Sequence, residues 1–196
     1  MNALGPTLPM IRSRSTKHGF TLVELLITLA IIGVLTTAAI PSFIRNQLRS
    51  RSSEALVNLS AIATTQQGYF AEHGAFLGVS SPVPASAPGS GRSAWAPGSA
   101  FDTLGWAPEG SVQFQYQVVT DTGGAGSVRF TAEARGDVDG NGQPSFWGFI
   151  KPGPGGGLSG AFPGTTCVGS GVVLGGLANG VDTTGPCDPS SGRTIF

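Results

Sequence analysis

Residues 17–40 read KHGFTLVELLITLAIIGVLTTAAI, and this stretch decides the fold. From Phe20 to Ile40 there are 21 residues with a single charge, Glu24. As a helix rising about 1.5 Å per residue, the run is roughly 31 Å long and matches the hydrocarbon thickness of a bilayer. Upstream stand Arg12, Arg14, Lys17 and His18, with no acid in the first 19 residues. The positive-inside rule then places the N-terminus in the cytoplasm and the remainder across the membrane. A secretory signal has the same basic start and apolar middle. This run exceeds the usual apolar core of such a signal, and no small-residue cleavage site precedes the helical, polar sequence that follows it.

Glu24 is the unusual residue. A carboxylate within the hydrocarbon costs about 2.5–3.5 kcal/mol even on the lenient insertion scale, so it needs a partner or a purpose. Lys17 reaches it only with difficulty along a helix. A cut just before Phe20 creates an α-amino group in the same apolar layer, on this chain or on a neighbour. One cleavage and one acid are thereby linked.

The segment Lys17-His18-Gly19-Phe20-Thr21-Leu22-Val23-Glu24, followed by an apolar helix, resembles the class III signal of type IV pilins and pseudopilins. The resemblance implies that a prepilin peptidase cuts between Gly19 and Phe20 and methylates the new N-terminal Phe20. It implies that Glu24 is the docking acid for assembly. Gly33 and Pro41 match family positions that bracket a stretch of helix prone to unwind in assembled filaments. Proline chemistry agrees at Pro41, which lacks an N–H and whose ring clashes one turn back. Loss of residues 1–19 removes Arg12, Arg14 and Lys17 and no acid. The mature chain then carries 8 basic and 11 acidic side chains, where the whole chain has 11 of each.

After Pro41 the pattern becomes amphipathic: Ile44, Leu48, Ala55, Leu56, Leu59, Ile62, Ala63, Tyr69 and Phe70 mostly follow steps of three and four, with Arg45, Arg49, Arg51 and Glu54 on other faces. A helix from Phe20 to Glu72 would run roughly 80 Å. It cannot bury its first half in its own globule, so that half must sit in lipid or against copies of itself.

Composition divides the chain near residue 75. Of 31 Gly and 14 Pro, 26 Gly and 11 Pro lie in residues 76–196. Residues 74–111, with Pro82, Pro84, Pro88, Pro97 and Pro108, read as a connecting loop pinned by Phe101, Leu104 and Trp106. Val112, Phe114, Tyr116 and Val118 alternate with Gln113, Gln115 and Gln117, predicting a strand with one packed face and one facing solvent or another subunit. After a turn at Asp121–Gly126, Val128, Phe130, Ala132 and Ala134 alternate with Arg129, Thr131, Glu133 and Arg135, completing a hairpin. Further strands are expected at Phe146–Ile150 and, more weakly, Gly171–Leu174. The fold class is α+β: a leader at 1–19, a long helix at 20–73 with 20–40 transmembrane, a connecting loop at 74–111, and a head of three or four antiparallel strands at 112–196.

The chemistry-bearing residues are few. His18, His73, Lys17 and Lys151 are the whole His and Lys inventory, which removes most acid/base and Schiff-base chemistry. The Gly153–Gly160 run lacks the Gly-Lys-Ser/Thr ending of a phosphate loop. With a formal net charge of zero there is no electrostatic footprint for nucleic acid. Asp137-Val138-Asp139-Gly140-Asn141-Gly142 matches the start of a calcium loop, with Asp137, Asp139 and Asn141 as oxygen ligands, but its twelfth position is Gly148 where a bidentate Glu is required. A tight Asp/Asn-Gly turn explains the same residues. Some pilin families carry a similar Asp-rich loop. Both readings stay open, and Ca²⁺ is the one cofactor in view. Cys167 and Cys187 are the only cysteines. Outside the inner membrane they are expected to pair, stabilising the head by about 3 kcal/mol in the chain-entropy model.

These residues describe a structural subunit without enzymatic activity, packed through its helix into a filament. The resemblance implies copies of itself, prepilin peptidase, an inner-membrane platform with a cytoplasmic ATPase, and an outer-membrane secretin as partners. The precursor is expected in the inner membrane with its head in the periplasm, and the product in a pilus on the cell surface. A pseudopilin of a type II secretion system shares the whole N-terminal motif. A membrane-tethered binding or enzymatic domain is the more distant alternative.

Overall fold

The structure is a computed structural model that describes residues 19–121, 128–154, 167, 172–174 and 177–196. Residues 1–18 of the leader, most of the Asp121–Gly126 turn, most of the Gly153–Gly160 run and Gly171 lie outside the described residues. The chain forms two compact units, one reaching Ser42 and the other Phe43–Phe196.

Helix α1 covers Leu22–His73. It passes through Gly33 and Pro41 without a helical break in this single chain. Pro41 offers no N–H to the Thr37 carbonyl one turn earlier. Just upstream, the Thr36 hydroxyl donates to the carbonyls of Ile32 and Gly33 at 3.0 and 2.9 Å, and that of Thr37 to Val34 at 2.7 Å. The helix ends at Gly74, whose φ of +68° is the left-handed conformation a C-terminal cap requires. Its N–H donates to the Phe70 carbonyl at 2.8 Å.

Within the second unit, α1 buries Ser52, Ala55, Leu59, Ile62, Ala63 and Gln66, again at steps of three and four. Leu48, Leu56, Tyr69 and Phe70 are half-buried beside them, while Ile44 remains exposed. Gln66 fixes the chain as it turns back: its side-chain N–H donates to the Leu77 carbonyl at 2.6 Å and its carbonyl accepts the Leu77 N–H at 3.0 Å. A fully buried amide is tolerated because both of its ends are paired.

The sheet has five antiparallel strands in the order β1 (Val79–Val83), β4 (Gln115–Thr120), β5 (Phe130–Gly136), β6 (Ser145–Lys151) and β9 (Thr184–Pro186). Two small hairpins accompany it, β2 (Ser93–Ala94) with β3 (Ser111–Val112) and β7 (Val172–Leu174) with β8 (Leu177–Gly180); a short helix α2 covers Ala100–Leu104. Register aligns Tyr116, Ala134 and Trp147 in one row and Val118, Ala132 and Phe149 in the next. These six join the buried α1 residues in one core cluster. The opposite face carries a second, smaller cluster of Ile150, Cys167, Val172 and Cys187. Pro82 and Pro186 sit in the two outermost strands, where a missing N–H discourages pairing with another sheet.

Three expectations are corrected. The stretch 74–111 holds strand β1, half of the β2–β3 hairpin and α2 as well as loop; Pro82 and the Ser-rich flanks concealed an edge strand with only two buried valines. Phe101, Leu104 and Trp106 are buried as expected. The run Val112–Val118 is split between β3 and β4. Its Gln face does not meet solvent: Gln113, Gln115 and Gln117 are only 4, 4 and 8% exposed. Gln117 donates to the Ser80 carbonyl within β1 and Gln115 to that of Pro84 just beyond it, so two of the three glutamines bond to the edge segment.

Cys167 and Cys187 are disulfide-bonded, and Gly148 forms their seat. A Cβ at Gly148 would lie 2.7 Å from the Cys167 sulfur and 3.2 Å from that of Cys187, whereas one at Gly68 on α1 meets nothing within 4 Å. Gly148→Ala is expected to cost about 1–3 kcal/mol through overpacking. Gly68→Ala should instead stabilise by about 0.4–1 kcal/mol. Denaturant midpoints of the full chain in detergent check both signs.

Candidate functional site

The N-terminal segment begins with Gly19 and Phe20 in extended, exposed chain, Phe20 at 80% exposure. Thr21 is the helix cap. Its hydroxyl accepts the Glu24 N–H at 3.2 Å, while a Glu24 carboxylate oxygen accepts the Thr21 N–H at 3.3 Å and the Thr21 hydroxyl at 3.2 Å. This reciprocal pair is a capping box, satisfying two donors the first helical turn leaves open. Glu24 therefore has a local role before any partner arrives. Among the described residues it has no ion-pair partner. From Leu22 to Ile40 every residue is exposed, including Leu25, Leu26, Ile27, Leu29, Ile31 and Ile32. The segment thus presents a fully exposed apolar surface with one hydrogen-bonded acid at its start.

In the second unit, Glu54 of α1 fastens the chain after β1. Its carboxylate lies 2.8 Å from Arg92 and accepts the Gln113 N–H at 2.8 Å; Arg92 also donates to the Ser111 carbonyl at 2.6 Å. Nearby, the Asn58 amide donates to the Tyr116 hydroxyl at 2.8 Å. Burial pushes the Tyr116 phenol well above its ordinary value, with the Asn58 bond acting against it.

The Asp137–Gly142 loop joins β5 to β6. Asp137 accepts the N–H groups of Gly140, Asn141 and Gly142 at 2.9, 3.1 and 2.9 Å. Asp139 accepts the Asn141 N–H and side-chain amide at 3.2 and 2.8 Å, and the Asn141 carbonyl accepts the Gln143 N–H at 2.7 Å. Burial raises the Asp139 carboxyl above the usual range; the Asn141 N–H lowers it and the adjacent Asp137 raises it further. Gly140 and Gly142 both adopt positive φ. All five side-chain oxygens thus bind the loop's own N–H groups. By the twelfth position the chain is already in β6, with Gly148 opposite Glu133 and against the disulfide. The donors match a tight turn and do not fit a complete calcium loop.

Glu133 and the two cysteine sulfurs lie within 4.8 Å of one another and are buried. The sulfurs are bonded to each other, so they are not thiolate ligands. His73 stacks on Tyr69 with ring centroids 4.0 Å apart at the end of α1. Beyond Cys187, Asp188 accepts hydrogen bonds from the backbone and hydroxyls of Ser190 and Ser191. Burial pushes its carboxyl up, but these bonds outweigh burial and hold it below the usual range.

The family described as the prokaryotic N-terminal methylation motif matches residues 14–40. The type IV major pilin protein PilA of Myxococcus xanthus is 51% identical over 61 residues, 31% of this chain and 28% of that protein. A fimbrial protein of Neisseria meningitidis serogroup B is 34% identical over 62 residues, 32% of this chain and 36% of that protein. The type IV major pilin protein PilE1 of Neisseria gonorrhoeae is 35% identical over 72 residues, 34% of each chain. The chain thus spans about a third of the length of these relatives. No solved structure matches it.

Two outcomes are expected. Addition of about 1 mM Ca²⁺ should leave the melting temperature of the full chain unchanged, and a rise would show that the loop binds the ion. For Asp188 the folded value is the lower one, so its stabilisation is complete above the unfolded carboxyl value of about 3.9 and is lost as pH falls through the folded value. The gap in denaturant midpoint between wild type and Asp188→Ala should therefore be largest near pH 7 and shrink towards about pH 2.

Proposed function

We propose, from an N-terminal segment that is that of the type IV pilin family, that this chain is a non-enzymatic structural subunit of a type IV pilus-like filament. The observation that carries the reading is the exposed apolar helix behind the Gly19-Phe20-Thr21-Leu22-Val23-Glu24 motif. An exposed surface of that size is stable in a bilayer or against copies of itself.

Prepilin peptidase removes residues 1–19 and methylates Phe20. The precursor stays in the inner membrane by residues 20–40 with its head in the periplasm, where a disulfide persists. Assembly by the membrane platform and its ATPase then exchanges lipid for neighbouring helices, and the filament leaves through a secretin. In the filament, Glu24 is offset by the Phe20 amine of a neighbour. Gly33 and Pro41 mark the stretch where the helix loosens on assembly, and Thr37 already lacks one backbone partner there. The relatives are described as pilins and fimbrial proteins, which favours a surface filament over the pseudopilin alternative.

The capping box separates two roles of Glu24, because Gln preserves the cap while removing the charge. Glu24→Ala and Glu24→Gln are both expected to leave Phe20 processed and methylated yet to give no surface fibres by electron microscopy. Normal fibres from Glu24→Gln would refute charge neutralisation and leave capping as the role of the acid.

A further inference from the structure

The apolar part of α1 ends in charge of one sign. After Glu24 the next charged residue is Arg45, followed by Arg49 and Arg51, and the next acid is Glu54. All three guanidinium groups are exposed, and among the described residues none takes part in an ion pair or cation–π contact. Glu54 is already held by Arg92 and the Gln113 N–H.

Their directions discriminate between partners. At about 100° per residue, Arg49 lies about 40° round the helix from Arg45, and Arg51 about 120° to the other side. The three therefore ring roughly half the helix. A carboxylate patch on one docked protein meets one face, whereas a layer of phospholipid headgroups surrounds a helix on every side. They also lie between Phe43 and Ile44, where the closely spaced exposed apolar residues of the helix end, and Ser52, the first buried residue of the second unit. A chain emerging from hydrocarbon passes through the headgroup layer over this stretch. Arginine suits that layer: its stem lies along the acyl boundary while its planar fork reaches phosphate oxygens in pairs.

Resting on the membrane-precursor reading above, we infer that Arg45, Arg49 and Arg51 form a belt that binds the phosphates of anionic phospholipids where the head leaves the bilayer. Once the leader is removed, these arginines are the remaining basic side chains close to the span. They hold the subunit in the membrane until assembly draws it out.

The test uses the full chain and its Arg45→Gln/Arg49→Gln/Arg51→Gln variant in vesicles of equal phosphatidylcholine and phosphatidylglycerol. Each is repurified in minimal detergent and its retained lipid measured by mass spectrometry. Wild type should retain phosphatidylglycerol enriched about twofold or more, with enrichment lost in the variant and in about 0.5 M salt. Equal enrichment in both proteins would overturn the belt. Alkaline extraction of the same vesicles separates the two layers of the argument. Release of both proteins would overturn the bilayer span and the belt with it, whereas retention of both with no difference in lipid overturns the belt alone.

Discussion

The apolar surface of α1 between Leu22 and Ile40 is the constraint on which the rest depends. Every residue there is exposed, and a single acid interrupts the run near its start. No rearrangement of side chains on one helix can hide apolar groups that point in all directions. On the proposed function burial comes first from lipid and then from other copies, and moving between those two environments costs little hydrophobic free energy because both are apolar. A subunit stored in a membrane and later drawn into a filament needs that property. Glu24 is the exception, and the capping box keeps its carboxylate hydrogen-bonded in the single chain.

The second unit has a core that makes no demand on that surface. The face of α1 from Ser52 to Gln66 packs with one side of the sheet, and Cys167, Val172 and Cys187 cluster with Ile150 on the other. Several polar groups inside are paired in ways that tie distant segments together: Gln66 with Leu77, Glu54 with Arg92 and Gln113, Gln117 with Ser80 and Gln115 with Pro84. Proline in both outer strands limits sheet-to-sheet pairing. Among the described glycines, Gly136, Gly148 and Gly192 stand where a Cβ would collide with Gln113 and Phe114, with the disulfide and with Trp147.

Much of this was legible in the sequence, for identifiable reasons. The apolar run, the periodic face at Ala55, Leu59 and Ile62, and the strands β5 and β6 announce themselves through local repeats of four, three and two residues. The capping box was equally readable in the Thr21-x-x-Glu24 spacing but was overshadowed by the membrane argument for the acid. Strand β1 was not legible, because Val79-Ser80-Ser81-Pro82-Val83 resembles a loop until Gln117 is seen to bond to its Ser80 carbonyl and Gln115 to that of Pro84 just beyond it. Nor was the Glu54–Arg92 contact, since no local pattern links residues so far apart in sequence. The aspartate loop shows the opposite hazard, in which a motif fits at its first six positions and then runs into a strand.

On the proposed function the exposed apolar helix is a processed assembly surface. The most direct measurement is the intact mass of the chain recovered from sheared extracellular fibres. The expected species begins at Phe20, carries one methyl group on that residue and has two hydrogens fewer than the dithiol form. Recovery of the chain only from membranes, with residues 1–19 still attached, would contradict it.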